Sequence, residues 1–272
     1  MPCMEGSSRD THAGPTAAIT RRRLLALTAG LGVAAAATAC SDRGPEGPPK
    51  AGSGAPSTPI PPPPPQPAAP PPPPPPAVNV AMLCREAWRA QPPRPGGRTH
   101  TINQMTVHHT AVVLGDNRLA PERLRQHQRY HQEGHGWIDI AYHVSVDRNG
   151  NVYQLRDYHL VGDTATEYDP TGHFLLLCEG DFDQEAVSEA QFDGAAKVLA
   201  WAGRNFNIST ETLKGHRDFA ATSCPGANLY ARMTSGELKQ RVDQYMTDGG
   251  VNLQTLCGPE ADAVVANIEA GQ

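Results

Sequence analysis

Three side chains in this sequence have the types and surroundings to hold a metal ion. They are His108 at the end of an apolar run, His216 in Gly215-His216-Arg217-Asp218, and Cys224 in Ser223-Cys224-Pro225-Gly226. Two imidazoles and one thiolate make a three-ligand zinc set whose fourth position stays open for water or substrate, which is what catalysis requires. Residue type leaves a second account standing, because the chain has 11 histidines and a loop histidine is more often solvated or hydrogen-bonded than metal-bound. No His-Glu-x-x-His segment is present to supply a carboxylate base from a helix. Glu179 is one acidic candidate. In Leu175-Leu176-Leu177-Cys178-Glu179-Gly180 residues 175, 177 and 179 share a strand face, and a carboxylate on an apolar strand is unfavourable without a partner or a task. Solvation at the strand end, or a buried ion pair, is the competing account of it.

These side chains need elements to place them. Met105 to Thr110 reads as a short apolar strand that delivers His108; alternation then turns His109 to the opposite face, in a packing or supporting role. Pro121 to Glu133 reads as a helix opened by its proline. Tyr142 to Val146 alternates as a strand, Arg148-Asn149-Gly150-Asn151 is a hairpin turn, and Val152 to Leu155 is the returning strand. Phe174 to Cys178 is a further apolar strand. Ser188 to Phe206 carries Ala190, Phe192, Ala195, Val198, Leu199 and Ala202 at helical spacing, and Ser235 to Met246 forms another helix. Strands mixed with helices of this length imply an α/β or α+β sandwich.

The chain has 272 residues, and its 27 prolines crowd mainly between Pro48 and Pro95. Such a tract can neither donate backbone hydrogen bonds nor pack a core. We therefore expect residues 40–77 to be an extended linker, 78–250 to be one folded domain, and 251–272 to be a C-terminal tail with a short helix from Gly258 on. A formal net charge of -5 lacks the cationic footprint of nucleic-acid binding, so nucleic acid is not an expected partner. Residues 1–39 look like an export signal: Thr20-Arg21-Arg22-Arg23-Leu24-Leu25 opens an apolar run to Ala39, too short to span a bilayer comfortably, and resembles a twin-arginine leader. Ala37-Thr38-Ala39-Cys40 resembles a lipoprotein processing box in which Cys40 takes the lipid, although Ala37 stands where a bulkier aliphatic is usual; ordinary cleavage at Ala-x-Ala is the alternative. Either outcome sends the mature protein out of the cytoplasm, and only a lipid on Cys40 would tie it to a membrane.

Several runs together resemble one known family. Thr106-Val107-His108-His109-Thr110-Ala111, Gly136-Trp137-Ile138-Asp139-Ile140-Ala141-Tyr142-His143, Gly215-His216-Arg217-Asp218 and Ser223-Cys224-Pro225-Gly226, preceded by Arg85-Glu86-Ala87-Trp88, occur in the order found in the type 2 N-acetylmuramoyl-L-alanine amidases and peptidoglycan recognition proteins. The resemblance spans roughly Cys84 to Arg232. It implies an α/β fold with a central mixed, mainly parallel β-sheet flanked by helices, and a zinc-dependent hydrolase cutting the amide between the lactyl group of muramic acid and L-alanine. Carried onto this sequence, the zinc ligands are His108, His216 and Cys224, and the catalytic residues are Tyr142 and, two positions before the cysteine, Thr222, whose hydroxyl is expected to hold the substrate or the developing charge. Threonine there resembles catalytically competent recognition proteins, whereas some phage members have lysine. Related cytosolic amidases place a glutamate on the strand that holds Glu179, closer to Leu177. The implied partner is peptidoglycan or a muropeptide, bound by a monomer. The alternative within the family is a recognition module that binds without cutting; such members typically lose the cysteine ligand.

One segment departs from the pattern. Val161-Gly162-Asp163-Thr164-Ala165 stands where many members have a Gly-Ala-His groove sequence, and His173 lies well downstream, so contacts to the stem peptide are expected to be rearranged. Trp137 is expected on the groove floor against sugar or lactyl groups, or in the core. Of the six cysteines, Cys3, Cys40 and Cys224 are accounted for by signal, lipid site and ligand. An exported chain meets an oxidising compartment, so a disulfide is expected: Cys84 with Cys257, leaving Cys178 reduced, or alternatively Cys84 with Cys178.

Overall fold

The computed structural model describes residues 75–272; the signal segment and Cys40 lie outside them, as does nearly all of the linker. Among the described residues seven strands form one sheet: β1 (Val78–Leu83), β2 (Gln104–His109), β3 (Val144–Val146), β4 (Val152–Gln154), β5 (His173–Cys178), β6 (Leu213–Gly215) and β7 (Val251–Leu256). Their order is β6-β2-β5-β3-β4-β1-β7. All neighbours run parallel except β3 and β4, which form the expected hairpin. This is the mixed, mainly parallel sheet that the family resemblance implied. β5 lies inside the sheet between β2 and β3, and His173-Phe174-Leu175-Leu176-Leu177-Cys178 is buried along its whole length, the pattern of a strand covered on both faces.

Alternation divides β5 between two cores. Phe174, Leu176 and Cys178 face Phe192, Val198 and Leu199 of α2 (Glu189–Asn205), with Leu238 and Val242 of α4 (Glu237–Thr247) in the same cluster. Leu175 and Leu177 face Leu124 of α1 (Ala120–Arg129) and Ala261, Val265 and Ile268 of α5 (Pro259–Ala270). α3 (Ala227–Thr234) adds Leu229 to the first cluster. Ser188 caps α2, its hydroxyl accepting from Gln191 N at 3.1 Å, and Pro121 opens α1. Gly150, at φ +86°, is required in the β3–β4 turn: a Cβ there would stand 2.7 Å from the Ala190 carbonyl oxygen.

Three boundaries differ from the sequence reading. α1 ends at Arg129 and continues as a wider turn in which His135 N donates to Tyr130 O at 3.3 Å, an i to i+5 bond that re-aims His131. Tyr142 and His143 precede β3, yet their carbonyls still accept from Arg156 N and Leu155 N, each at 3.0 Å. The segment expected as a tail is structured throughout: Val251–Leu256 pairs with the whole of β1 as an edge strand, and α5 buries its apolar side. Neither local periodicity nor turn chemistry signals a parallel edge pairing between segments about 170 residues apart. The Cys84–Cys257 disulfide closes the same edge, with Cα atoms 5.4 Å apart. Cys178 is buried outside any disulfide, its thiol pushed up to about 12 by burial.

Candidate metal centre and cleft

β2 carries His108 and His109 at its C-terminal end, paired with Leu177 and Cys178 of β5. Successive residues point to opposite faces, so His109 turns to the α2 side. There its ring stacks on Phe182 at 6.1 Å and its Nδ1 accepts from Phe182 N at 3.3 Å. His108 turns to the α1 side. β6 runs parallel beside β2, with Val107 opposite Gly215, and the chain leaves β6 at His216. The two imidazoles thus stand at the carboxyl ends of adjacent parallel strands, the edge where open α/β sheets place their sites, with ring centroids 4.7 Å apart.

Cys224 arrives on a loop folded back by Arg217, whose N–H donates to Cys224 O at 2.9 Å and whose guanidinium donates to Ser223 O. Asp218 pins the start of this loop by accepting from Gly215 N at 2.8 Å and Tyr230 OH at 2.6 Å. The sulfur lies 3.7 Å from His108 Nδ1 and accepts from His109 N at 3.3 Å, an N–H contact that favours thiolate. Ligand atoms of His108, His216 and Cys224 lie within 4.8 Å of one another, and all three residues are buried.

The donor set fits zinc on two further counts. Among the described residues His108 Nε2 and His216 Nδ1 are buried with no hydrogen-bond partner, an arrangement that is unfavourable in a dry interior unless something else takes up the nitrogen lone pair. The His108 imidazole is also held neutral, its pKa well below the usual value through burial first and then the neighbouring His216. Neutral imidazoles and a thiolate are the forms a metal takes.

Above these residues lies a cleft lined by His108, His216, Tyr142, His131, Trp137 and the segment from Asp163 to Thr166. The Tyr142 ring is 5.0 Å from that of His108. Trp137 is both cleft wall and packing surface: it is half-buried against the α1-side core, with His135 stacked on it at 4.3 Å. Thr222 is not among the cleft-lining residues; its hydroxyl accepts from Cys224 N at 3.1 Å and so shapes the ligand loop. Glu179 also lies away from the lining, fully buried on the α1 face. Ser145 Oγ donates to it at 3.3 Å and His127 Nε2 lies 3.8 Å away. Desolvation pushes its carboxyl up to about 8.

Sequence reasoning missed two contributors. His131 lines the cleft with its Nδ1 accepting from Ala141 N at 3.2 Å; burial lowers its pKa to about 2, so the neutral ring carries its hydrogen on Nε2. Its spacing of four from His127 is the signal that both share one side of the α1 segment. Thr166 places Oγ1 2.7 Å from His216 Nε2; it follows the segment that departs from the family pattern, and only the folded chain shows what it meets.

Residues 98–227 match the N-acetylmuramoyl-L-alanine amidase family. Peptidoglycan recognition protein 1 of Mus musculus is 30% identical over 157 residues, which cover 56% of this chain and 86% of that protein. The chain belongs to the type 2 amidase and peptidoglycan recognition protein family. An N-acetylmuramoyl-L-alanine amidase of Sus scrofa is also 30% identical, over 54% of this chain but 25% of its own length. Among solved structures, peptidoglycan recognition protein LE in complex with tracheal cytotoxin, a monomeric diaminopimelic acid-type peptidoglycan, superposes with a TM-score of 0.52 at 26% identity, covering 57% of this chain and 92% of that one. The type 2 amidase family thus joins recognition proteins and enzymes directed at peptidoglycan. Which of the two a member is depends on its site.

Proposed function

We propose that this chain is a zinc-dependent N-acetylmuramoyl-L-alanine amidase that hydrolyses the amide between the lactyl group of muramic acid and L-alanine in peptidoglycan. The observation that carries this reading is the convergence of three buried donors, His108, His216 and Cys224, at the floor of a cleft that also presents Tyr142. A module that only binds glycopeptide has no need of a buried cysteine sulfur beside two buried imidazoles that each keep one nitrogen without a partner among the described residues. Zinc, when bound by these three, supplies Lewis acidity at the scissile carbonyl. Tyr142 then donates its phenolic hydrogen to the oxyanion that develops as the carbonyl becomes tetrahedral. Trp137 packs against the sugar or lactyl group at the cleft wall. His109 N–H and Thr222 act through Cys224, the first by its contact to sulfur and the second by holding the loop.

Around this centre we assign residues 1–39 to an export signal, Cys40 to a lipid anchor, residues 40–77 to a spacer, and the catalytic domain to everything from β1 to α5. Export is consistent with the Cys84–Cys257 disulfide, which an oxidising compartment maintains. The protein acts as a monomer on cell-wall fragments or sacculus.

The test is mass spectrometry of purified muropeptides incubated with the protein, run beside metal analysis. We expect free stem peptide, about one zinc per chain, loss of hydrolysis on chelation with recovery on added zinc, and joint loss of metal and turnover in Cys224→Ala. A protein that binds zinc and muropeptide yet never releases stem peptide is the recognition module instead. Full activity without zinc overturns the metal assignment.

A further inference from the structure

Arg156 follows β4 and is 2% exposed. Its Nε donates to Ile140 O at 2.8 Å, Nη1 to Val161 O at 2.6 Å and Nη2 to Asp139 O at 3.0 Å, and Nη2 also pairs with the Asp163 carboxylate. These four acceptors belong to two separate stretches of chain. Asp139 and Ile140 lead into Tyr142; Val161 to Asp163 lead into Thr164–Thr166. Both stretches are walls of the cleft. The second is pressed onto the first: Asp163 N donates to Ala141 O at 3.3 Å, and a Cβ on Gly162 would stand 2.5 Å from that same oxygen.

The second wall ends on a metal-site residue. Thr164 Oγ1 accepts from Thr166 N at 3.1 Å and lies 2.8 Å from Thr166 Oγ1, which lies 2.7 Å from His216 Nε2. A hydroxyl has one hydrogen and two lone pairs. If Thr166 donates to Thr164, it accepts from His216 Nε2–H, and Nδ1 keeps its lone pair. The reverse direction would bury an Nδ1–H that has no partner, which is the costlier arrangement.

We propose that Arg156 is a positioning residue: one buried guanidinium clamps the two cleft walls together and, through the wall it pins at Val161 and Asp163, holds the Thr166 hydroxyl on His216 so that Nδ1 keeps the lone pair a metal would take. The inference rests on the zinc-site reading above. Lysine cannot replace this clamp, since a single ammonium head does not reach three carbonyls and a carboxylate lying in different directions.

The experiment uses the full chain as Arg156→Lys, Thr166→Val and the double variant. Three quantities are read: the 15N shifts of the His216 ring in metal-free protein, zinc affinity by competition with a fluorescent chelator, and the urea midpoint. We expect a single Nε2–H tautomer in the wild type and mixed tautomers in each single variant. Zinc binding should weaken by about 10- to 100-fold, the range seen when ligand-orienting partners are removed. The double variant should be no worse than the weaker single, because both changes break one chain of contacts. A lowered urea midpoint with wild-type tautomer and zinc affinity would make Arg156 merely structural; additive effects would make the two residues independent. Should Arg156→Lys not fold, Asp163→Asn, which removes only the ion pair, is expected to shift the same readouts in the same direction, and no shift overturns the clamp. A wild type that takes no zinc refutes the metal reading, while the metal-free 15N shifts still decide the clamp.

Discussion

Breaking the Cys84–Cys257 bond should weaken the fold substantially while sparing the chemistry. The bond closes a loop with a sequence separation of 173 residues, so the chain-entropy relation gives an upper bound of about 5 kcal/mol at 25 °C for the unfolded-state entropy it removes. The realised value should be lower, about 2 to 4 kcal/mol, because denatured chains keep residual structure. What remains without the bond is the six-residue β1–β7 pairing and the apolar side of α5, where Ala261, Val265 and Ile268 pack on the α1 face. Both sit at the edge of the sheet, whereas the three metal-site residues lie on β2 and after β6, at the other side of the strand order. Cys84→Ala and Cys257→Ala should therefore each lower the urea-derived stability by this amount. The melting point should fall by roughly 2–4 °C per kcal/mol for a domain of this size. Muropeptide hydrolysis at 15 °C should stay within about twofold of wild type, since distant sites behave independently. A loss below about 0.5 kcal/mol in both variants would refute the closure argument. Loss of activity in fully folded variants would show that the β1–β7 edge reaches the cleft.

Tyr142→Phe should retain zinc and muropeptide binding while turnover falls by about two to three orders of magnitude, as expected when one oxyanion donor is removed; single-turnover kinetics beside metal analysis check it, and unchanged turnover excludes the phenol from the reaction. Glu179→Gln tests the buried carboxyl. Its folded pKa is raised from 4.5 to about 8 by desolvation, with His127, Ser145, Arg123 and Asp147 around it, so the native state keeps a proton that the unfolded chain releases. The protonated group's stabilisation is complete below pH 4.5 and fades as pH rises to about 8, by up to roughly 5 kcal/mol. Urea unfolding across that window should show a decline that Glu179→Gln flattens, and parallel profiles would refute the neutral assignment. Replacing Arg21 and Arg22 together by lysine should leave precursor in the cytoplasm on fractionation, and normal export would remove the twin-arginine reading.

What was legible in the sequence follows from how local each signal is. β5 declares itself because a strand buried on both faces carries an unbroken apolar run, here Phe174 to Cys178, and α2 because its apolar residues return at helical spacing from a serine cap. The metal-site residues were legible as types in motifs, His108 at a strand end and Cys224 in a Ser-Cys-Pro-Gly loop. Their convergence was not, because it depends on β6 lying parallel beside β2 across more than a hundred residues of chain. The same non-locality hid β7. Its burial alternates only weakly, since an edge strand is half solvated and its pairing with β1 has no turn between them to announce it.

The walls of the cleft were the least legible part, for a different reason. Asp163 and Thr166 in isolation read as loop residues, and Arg156 as a charge after a strand; each is polar in a region where polarity is the default. Folding inverts that expectation. Arg156 is buried and its donors reach two backbone segments and one carboxylate, so its presence in the interior is justified by several contacts at once and by none that adjoins it in sequence. Buried charge of this kind is tolerated only when its hydrogen-bonding capacity is met. That requirement fixes the path of residues 161–163, which in turn fixes where Thr166 stands relative to His216. A motif search sees His216 and Cys224 because metal ligation would constrain their identity directly. It does not see Arg156, because that side chain is constrained by backbone carbonyls, which every residue type presents alike.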